Sequence, residues 1–269
     1  MREIDLRDMI FKDIISRRVV AAIVSDDEGI IALTEKLRSK ADEIGIEVLE
    51  CLPSGAYVRR GTLIAKLRGN PKQIALAEDL LIGIIAKASG IATAAYRANK
   101  LANNKVRVVC GAWKKMPVEV KNLFREAIKI GGVNVRILNE SFIYLDKNYV
   151  KILGGIKEAL KTVEEFNMIK VIQIKGRVKA IEDEALEAVI NGAKVIMIDT
   201  GNLDDVRRVN RVLKEKGLRN KVMIAFAGNI KLNDIPKLIN ENIDIVDIGK
   251  EIIDAPLLDM RLEVISVED

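Results

Sequence analysis

Histidine is absent from the 269 residues, and the sequence has only two cysteines, one tryptophan and 4% aromatic residues. The lack of histidine excludes Ser-His and Cys-His nucleophile pairs, zinc bound by imidazole, and acid–base catalysis by imidazole. Cys51 and Cys110 do not form a C-x-x-C pair. We therefore expect no thiolate metal site, and a protein that works in a reducing compartment.

Long apolar runs are also missing, since none approaches the roughly 18 residues needed to cross a bilayer. The first segment, MREIDLRDMIFKDII, carries charges of both signs among its apolar residues and has no signal-peptide core. We therefore expect a cytoplasmic protein with no membrane partner. Glutamine occurs only at Gln73 and Gln173, whereas Ile, Lys and Glu are frequent and the loops are short. This combination suggests a thermophilic source.

The chain carries 44 basic and 39 acidic residues, which gives a net charge of +5. Such an excess can indicate an anionic ligand or nucleic acid, or only a surface rich in salt bridges. The charges are interspersed, and no basic stripe with aromatic residues is present. We therefore expect no nucleic-acid partner. With 49% hydrophobic and 31% charged residues, the composition is that of a globular protein with an ordinary core.

The first 105 residues mix helical and strand periodicities and predict a small α/β sandwich followed by a long connecting helix. The connecting helix is apolar nearly all round, which indicates burial between domains or in a dimer. The predicted elements are a short helix near the N-terminus, a strand at 19–24, a helix at 28–44, strands at 46–52 and 63–67, an extended segment at 56–59, and the helix at 72–103.

From residue 106 strands and helices alternate at the spacing of βαβ units, which predicts a parallel sheet. We count six strands and predict an open, TIM-like β/α barrel over 106–257. A C-terminal strand at 258–266 is expected to return to the N-terminal sheet. The strands are placed at 106–110, in a stretch ending near 145, and at 169–174, 195–198, 222–226 and 243–248. The helices are placed at 118–130, 149–166, 181–191, 203–216 and 232–240.

Chemistry in such barrels lies on the loops that follow the strands. The late turns after the strands contain Gly228, Asn229 and Gly249. These residues could form a phosphate site or could only allow the backbone to turn after each strand. Asp199 follows the apolar run VIMI and could hold Mg²⁺, bind a sugar hydroxyl or cap the next helix. The first such loop, GAWKKMP, carries two lysines and the only tryptophan.

These segments resemble the quinolinate phosphoribosyltransferase family, the carboxylating nicotinate-nucleotide pyrophosphorylases. The resemblance spans nearly the whole chain in family order, and SGIAT at 89–93 followed by GGVNVR at 131–136 is its most specific part. The other matching segments are DDEGIIAL, GAYVRRGTLIAKLRG, LLIGIIAKASGIATAAYR, EALEAVINGAKVIMID, AGNIKLNDI and IGKEIIDAPLLDMRLEV.

The resemblance implies an N-terminal sandwich plus an open barrel, in a homodimer whose sandwich covers the partner's barrel mouth. It also implies the transfer of ribose 5-phosphate from phosphoribosyl pyrophosphate to quinolinate, with Mg²⁺ and with loss of CO₂ and pyrophosphate. A site that holds two carboxylates and a pyrophosphate should be lined with cations.

Several family site positions are changed in this sequence. Compared with the family motifs, the kept residues are Glu78, Lys114, Arg136, Asn148, Asp199 and the glycines Gly228 and Gly249. The changed ones are Asp79 and Trp113 for arginines, Val135 and Tyr149 for histidines, Asp146 for a lysine and Lys175 for a glutamate.

Losing cations and gaining carboxylates disfavours quinolinate itself, because each charge-assisted contact contributes roughly 1.5–3 kcal/mol. We therefore expect a phosphoribosyltransferase for an aromatic or heteroaromatic acid with fewer acidic groups. The expected roles are an anionic substituent on Lys114 and Arg136, metal or ribose on Asp199, and phosphate on Gly228, Asn229 and Gly249. No catalytic residue is assigned.

Two alternatives stay open. Trp113 could stack on a ring-bearing ligand or fill vacated space, and the chain could be a non-catalytic relative that binds a nucleotide or a protein partner. We also place Lys175 in the substrate site, and hypothesise that it forms an ion pair of swapped polarity with Asp146. The ligands expected are a small anionic substrate and phosphoribosyl pyrophosphate or a nucleotide.

Overall fold

The computed structural model describes residues 5–268 and divides the chain into two compact units. The first comprises residues 1–96, 116–132 and 252–269, and the second comprises 97–115 and 133–251. The domain bounds expected from the sequence, 1–105 and 106–257, stay a prediction. None of the helices within residues 5–268 is both long enough and apolar enough to span a membrane.

The first unit is built on a four-stranded antiparallel sheet, with strand order β12-β1-β5-β3. The C-terminal segment forms β12, which pairs with β1 from Arg18↔Glu268 to Ser25↔Met260. Every residue of β1 except the first is buried, so this strand forms the centre of the unit's core. The strands are β1 (Arg18–Ser25), β2 (Gly29–Ile30), β3 (Glu47–Cys51), β4 (Tyr57–Val58), β5 (Leu63–Gly69) and β12 (Met260–Glu268).

The predicted long helix 72–103 is present as two α-helices joined by a π-helical segment, Glu78–Ile82. It begins with a capping box, in which the Asn70 side chain accepts from the Gln73 N–H and the Gln73 side chain accepts from the Asn70 N–H. The helices counted with this unit are α1 (Leu6–Ile10), α2 (Thr34–Glu43), α3 (Pro71–Ala77), α4 (Gly83–Ala102), which continues into the second unit, and α5 (Val118–Ile130).

The expectation of a helix from residue 28 is wrong for its first six residues, since α2 begins only at Thr34. The segment before it is extended, and Ile30 pairs with Tyr57 of β4. Its backbone is held by the SGIAT motif, because the Ser89 and Thr93 hydroxyls accept hydrogen bonds from Ala32 and Ile30 N–H at 2.9 Å each. These side chains satisfy backbone donors that a helix would otherwise satisfy internally.

The second unit is a six-stranded sheet with order β6-β11-β10-β9-β8-β7, and every pair of neighbours is parallel. This confirms the predicted open barrel of six strands. At the β6 edge, Val109 forms an isolated parallel bridge with Asn134. The strands are β6 (Arg107–Val109), β7 (Phe142–Leu145), β8 (Ile169–Ile174), β9 (Val195–Asp199), β10 (Met223–Ala227) and β11 (Ile245–Asp247).

The helices between these strands agree with the predicted ones except in two places. The expected helix 149–166 is two helices, because Gly154 and Gly155 adopt φ of 91° and 144° and break it. The expected helix 232–240 is a 3₁₀ turn, Leu232–Asp234, followed by a short α-helix. The α-helices are α6 (Lys147–Ile152), α7 (Ile156–Thr162), α8 (Ile181–Ile190), α9 (Leu203–Glu215), α10 (Ile235–Leu238) and α11 (Lys250–Ile253).

Side chains in a strand alternate between the two faces of a sheet, so inward positions recur every second residue. Val171, Val195, Met197, Ala225 and Ile245 share one buried apolar cluster on the inner face. The alternation then places Gln173 and Lys175, Asp199 and Asp247 next in line on that face, at the carboxyl ends of β8, β9 and β11. The apolar core of the second unit is thus capped at one end by polar side chains.

Candidate active site

We define the mouth as the polar set at the carboxyl ends of the parallel strands: Tyr144, Gln173, Lys175, Asp199 and Asp247. Each is the last or nearly the last residue of its strand, or follows it directly. Sheet order makes β7, β8 and β9 direct neighbours, so the first four of these residues come from three adjacent strands.

Lys175 and Asp199 form an ion pair at the centre of the mouth. The Lys175 ammonium lies 2.8 Å from Asp199 Oδ2 and also donates to the Asp199 carbonyl oxygen at 2.7 Å. The two side chains are only 18% and 29% exposed, so water screens this pair less than it screens a surface pair. The carboxylate predicted to hold a metal is therefore neutralised by the chain's own lysine.

Gln173 supports the same carboxylate, because its side-chain amide donates to Asp199 Oδ2. Its amide oxygen accepts a hydrogen bond from Lys147 N at 2.8 Å, at the start of α6. Sequence reasoning missed this residue, although its position two residues before Lys175 on a strand already placed it on the inner face.

The hypothesis of an ion pair between Asp146 and Lys175 is wrong. Asp146 is the N-cap of α6, and its Oδ1 accepts from Asn148 N at 2.8 Å and Tyr149 N at 3.1 Å. Lys175 pairs instead with Asp199 on the neighbouring strand. Capping satisfies two backbone N–H groups of α6 that lie close to the Asp146 carboxylate. An ion pair with Lys175 would require the carboxylate to leave these donors, so capping is preferred.

The backbone after β8 is fixed by Glu184, a buried carboxylate in the first turns of α8. Glu184 Oε2 accepts from Lys175 N at 2.9 Å and from Gly176 N at 2.8 Å, and only 7% of the residue is exposed. Glu184 thereby orients the residue that carries the mouth's ammonium. Nothing in the sequence pattern distinguished it from the other acidic residues of α8.

Tyr144 lies among the carboxylates of the mouth. Desolvation, then the negative charges of Asp247, Asp199 and Asp146, raise the pKa of the Tyr144 phenol well above its ordinary value. The phenol therefore keeps its proton and is a hydrogen-bond donor. The Lys114 ammonium lies 5.5 Å from the centre of the Tyr144 ring, which is a cation–π distance. This contact places the inherited Lys114 beside the mouth.

Asp247 is the second carboxylate of the mouth and was not predicted. Its Oδ1 accepts from Gly111 N at 3.1 Å, which joins β11 to the first loop. Desolvation raises the pKa of the Asp247 carboxyl, as does the charge of Asp199, while the Gly111 hydrogen bond and the charges of Lys114 and Lys115 act in the opposite direction. The sequence signal for this residue was an aspartate, Asp247, near the end of the otherwise apolar strand segment IDIVDI.

The first loop is anchored rather than free. The indole Nε1 of Trp113 donates to the Val135 carbonyl oxygen at 3.0 Å, so a residue that replaces a family arginine is tied to one that replaces a family histidine. Cys110, at the start of the loop, is fully buried, and burial raises the pKa of its thiol to about 12. That thiol is not a nucleophile near neutral pH.

Arg136 lies at a different place from the other predicted cations. It is exposed, its guanidinium lies 5.2 Å from the centre of the Phe142 ring, and it donates to the Glu140 carbonyl oxygen at 3.3 Å. Phe142 is the first residue of β7, whereas the mouth lies at the other end of the strands. The role of Arg136 in substrate binding stays a prediction. Asp79, in the first unit, pairs with Arg7 at 2.5 Å.

Two glycine turns meet beside Asp199. Gly228 and Asn229 have φ of 117° and 61°, and Gly201 N donates to the Ala227 carbonyl oxygen at 2.9 Å. A Cβ on Gly228 would lie closer than 3.0 Å to the Gly201 backbone, so only glycine fits this approach. The predicted phosphate turn is therefore constrained by its neighbour, while its role in phosphate binding stays a prediction, as does that of Gly249.

The donor set around Asp199 does not fit a directly bound Mg²⁺. This ion requires near-octahedral oxygen ligands at about 2.0–2.1 Å, and Asp199 Oδ2 already accepts from an ammonium and an amide. Within residues 5–268, no three or more His, Cys, Asp or Glu side chains are grouped so that they could hold a metal. The ammonium and a divalent cation would repel each other at this oxygen.

The fold and the mouth together define a class of two-unit proteins with an open six-stranded α/β barrel and a charged strand-end site. Residues 8–89 match the model of the quinolinate phosphoribosyl transferase N-terminal domain, and residues 91–263 match that of the C-terminal domain. The chain belongs to the quinolinate phosphoribosyltransferase family.

Individual relatives are distant but align with this chain over most of their length. A probable carboxylating nicotinate-nucleotide pyrophosphorylase of Archaeoglobus fulgidus is 28% identical over 93% of this chain and 96% of its own. The human carboxylating nicotinate-nucleotide pyrophosphorylase is 23% identical over 92% and 83%. A solved nicotinate-nucleotide pyrophosphorylase from Pyrococcus furiosus superposes with a TM-score of 0.82 at 21% identity, over 98% of this chain and 75% of that one. The fold is therefore that of this family.

Proposed function

We propose that this protein is a phosphoribosyltransferase that transfers ribose 5-phosphate between phosphoribosyl pyrophosphate, or a nucleotide, and an aromatic or heteroaromatic acid. Membership of the family supports the reaction type. The observation that carries the proposal is the partly buried Lys175–Asp199 pair at the mouth, supported by Gln173 and Glu184. Three residues that hold one ammonium in a fixed place form a preorganised electrostatic site.

The charges near the mouth support an acceptor with fewer acidic groups than quinolinate. The negative charges of Asp146, Asp199 and Asp247 all raise the pKa of Tyr144. The positive charges of Lys114 and Lys115 lower the pKa of Asp247. With Lys175, three positive charges face three negative ones. A ligand with two carboxylates would meet little net attraction there. Lys114 and Trp113 are proposed to receive one anionic substituent and the ring of the acceptor.

The proposed chemistry needs no protein nucleophile. The acceptor nitrogen attacks C1′ of the ribose as the pyrophosphate leaves with its electron pair, so positioning and stabilisation of the departing negative charge carry the catalysis. In this proposal Lys175 supplies positive charge, Asp199 accepts from a ribose hydroxyl, and a phosphate lies against Gly228, Asn229 and Gly249. Mg²⁺ stays a prediction from the family resemblance, carried by the substrate's phosphates and not by Asp199.

We also propose that the protein acts in the cytoplasm as a homodimer, as the family resemblance implies. Size-exclusion chromatography with light scattering would measure the mass directly. A monomer at micromolar concentration would contradict the dimer without affecting the reaction type.

The proposed function is tested by a thermal-shift panel of phosphoribosyl pyrophosphate with Mg²⁺, quinolinate, nicotinate and nicotinate mononucleotide. A ligand at about tenfold its Kd stabilises by about 1.4 kcal/mol, which raises the melting temperature by a few degrees. We expect the ribosyl donor and the mononucleotide to stabilise the wild type and quinolinate to have little effect. Asp199→Asn should abolish these shifts, and the exposed Lys216→Ala should keep them.

A second candidate is a non-catalytic relative that binds a nucleotide or a partner. It is favoured by the altered cation set, since Asp79, Trp113 and Asp146 stand where the family motifs have cations. No shift with any of the four compounds would favour this candidate. A clear shift with quinolinate would contradict the altered acceptor but not the reaction type.

A further inference from the structure

The Lys175 ammonium has the position and the contacts of a bound cation. It lies 2.8 Å from Asp199 Oδ2 and 2.7 Å from the carbonyl oxygen of the same residue. Two oxygens of one residue therefore contact it, and oxygens are also the ligands of a hard metal ion. An ammonium has three N–H donors, and these two contacts use two of them. Only 18% of the side chain is exposed, so little water reaches the third donor.

Three neighbouring residues help to keep this ammonium in its place. Glu184 fixes the Lys175 backbone, and the Gln173 amide donates to the same carboxylate oxygen that the ammonium contacts. Asp146, which could have drawn the lysine away, is engaged as the cap of α6. These contacts hold Lys175 at Asp199, so it does not behave as a mobile surface lysine.

We propose that the Lys175 ammonium is the built-in cation of this site and excludes a divalent metal ion from Asp199. A divalent ion at Asp199 Oδ2 would have to displace the ammonium, and the two charges would otherwise repel at close range. Asp199 is therefore balanced by the charge of this ammonium at any metal concentration.

The first test is a titration with Mn²⁺, which stands in for Mg²⁺ and whose free ion is measured by electron paramagnetic resonance. We expect no saturable binding by the wild type or by Lys175→Arg, which keeps a cation. We expect Lys175→Met and Lys175→Glu to gain about one site per chain, because each exposes the carboxylate. Adding Asp199→Asn to either variant should abolish the gain.

Lys179→Met is the matched control, because Lys179 also follows β8 and pairs with a glutamate, Glu187, at 2.7 Å, but is exposed. It should gain no Mn²⁺ site. Far-ultraviolet circular dichroism checks that each variant folds, and the titrations of the wild type and Asp199→Asn still report if Lys175→Met and Lys175→Glu fail to fold. A saturable Mn²⁺ site in the wild type that is lost in Asp199→Asn would overturn the proposal, as would the absence of a gain in folded Lys175→Met and Lys175→Glu.

A second test rests on the proposed function and separates the two ideas. Calorimetric binding of pyrophosphate in EDTA should be retained by the wild type and weakened roughly tenfold or more in Lys175→Met, as expected for the loss of a charge-assisted contact. If pyrophosphate binds none of these proteins while the Mn²⁺ pattern holds, the proposed function fails and the built-in cation stands. If pyrophosphate binds the wild type only with Mn²⁺ present and through Asp199, the built-in cation fails.

Discussion

The ammonium of Lys175 and the carboxylate of Asp199 contact each other across the neighbouring strands β8 and β9, with Nζ 2.8 Å from Oδ2. Because the pair is partly buried, removing one partner leaves the other charge poorly solvated. Lys175→Met should lower the free energy of unfolding by about 1–3 kcal/mol. The double change Lys175→Met with Asp199→Asn should cost less than the sum of the single changes, by about 1 kcal/mol in urea unfolding.

The matched comparison for this cycle is Asp146. Because Asp146 caps α6 and does not pair with Lys175, Asp146→Ala and Lys175→Met should add within about 0.5 kcal/mol. A large coupling between Asp146 and Lys175, with none between Lys175 and Asp199, would contradict this assignment of partners.

Strand periodicity predicted most of the fold, because burial on a parallel sheet leaves a regular apolar pattern. Helix α5 has the predicted bounds, 118–130, and β8 has the predicted bounds, 169–174. The failure at 28–33 has a tertiary cause. Ile30 to Leu33 are apolar and buried, as a helix would allow. The N–H groups of Ile30 and Ala32, however, donate to the Thr93 and Ser89 hydroxyls from distant sequence. No local pattern contains that information.

The mouth was predicted in outline but not in its pairing. Lys175 and Asp199 were both placed at strand ends, and consecutive strands of a βαβ series are usually neighbours, so their contact was within reach of sequence reasoning. Asp247 and Gln173 were missed because a polar residue inside a strand was not followed to its face. Glu184 could not have been found, since its role depends on how α8 packs against the turn after β8.

Glu184 should be a positioning residue whose removal is costly. Glu184→Ala leaves the Lys175 and Gly176 N–H groups without their acceptor and should lower the free energy of unfolding by about 2 kcal/mol. Glu184→Gln keeps an acceptor oxygen and should cost less. Glu187→Ala, on the same helix, removes only a pair with the exposed Lys179 and should cost about 0.5 kcal/mol. Equal costs for Glu184→Ala and Glu187→Ala in urea unfolding would remove the proposed role.

The stability cost of crowding Gly228 against Gly201 can be measured separately from the cost of a positive φ. Gly228 and Gly192 both have positive φ, 117° and 97°, but only Gly228 lacks room for a Cβ, since nothing lies within 4 Å of one built on Gly192. Gly192→Ala should cost about 1–2 kcal/mol from its φ alone. Gly228→Ala should cost at least about 1 kcal/mol more in urea unfolding, because two backbones must separate. Similar costs would show that the turn relaxes easily.

Asp247 should make the stability of the protein depend on pH. Desolvation raises the pKa of its carboxyl in the folded chain, so folding favours the protonated form. Its stabilising contribution is fully present below the unfolded pKa, about 4, and is lost as pH rises through the raised folded pKa. Asp247→Asn cannot ionise but still offers an oxygen to the Gly111 N–H. It should therefore be more stable than the wild type at pH 7, and the difference in the free energy of unfolding should shrink as pH falls toward about 4. If urea titrations show the same difference in the free energy of unfolding between Asp247→Asn and the wild type at pH 7 and at about pH 4, Asp247 ionises without a cost in stability.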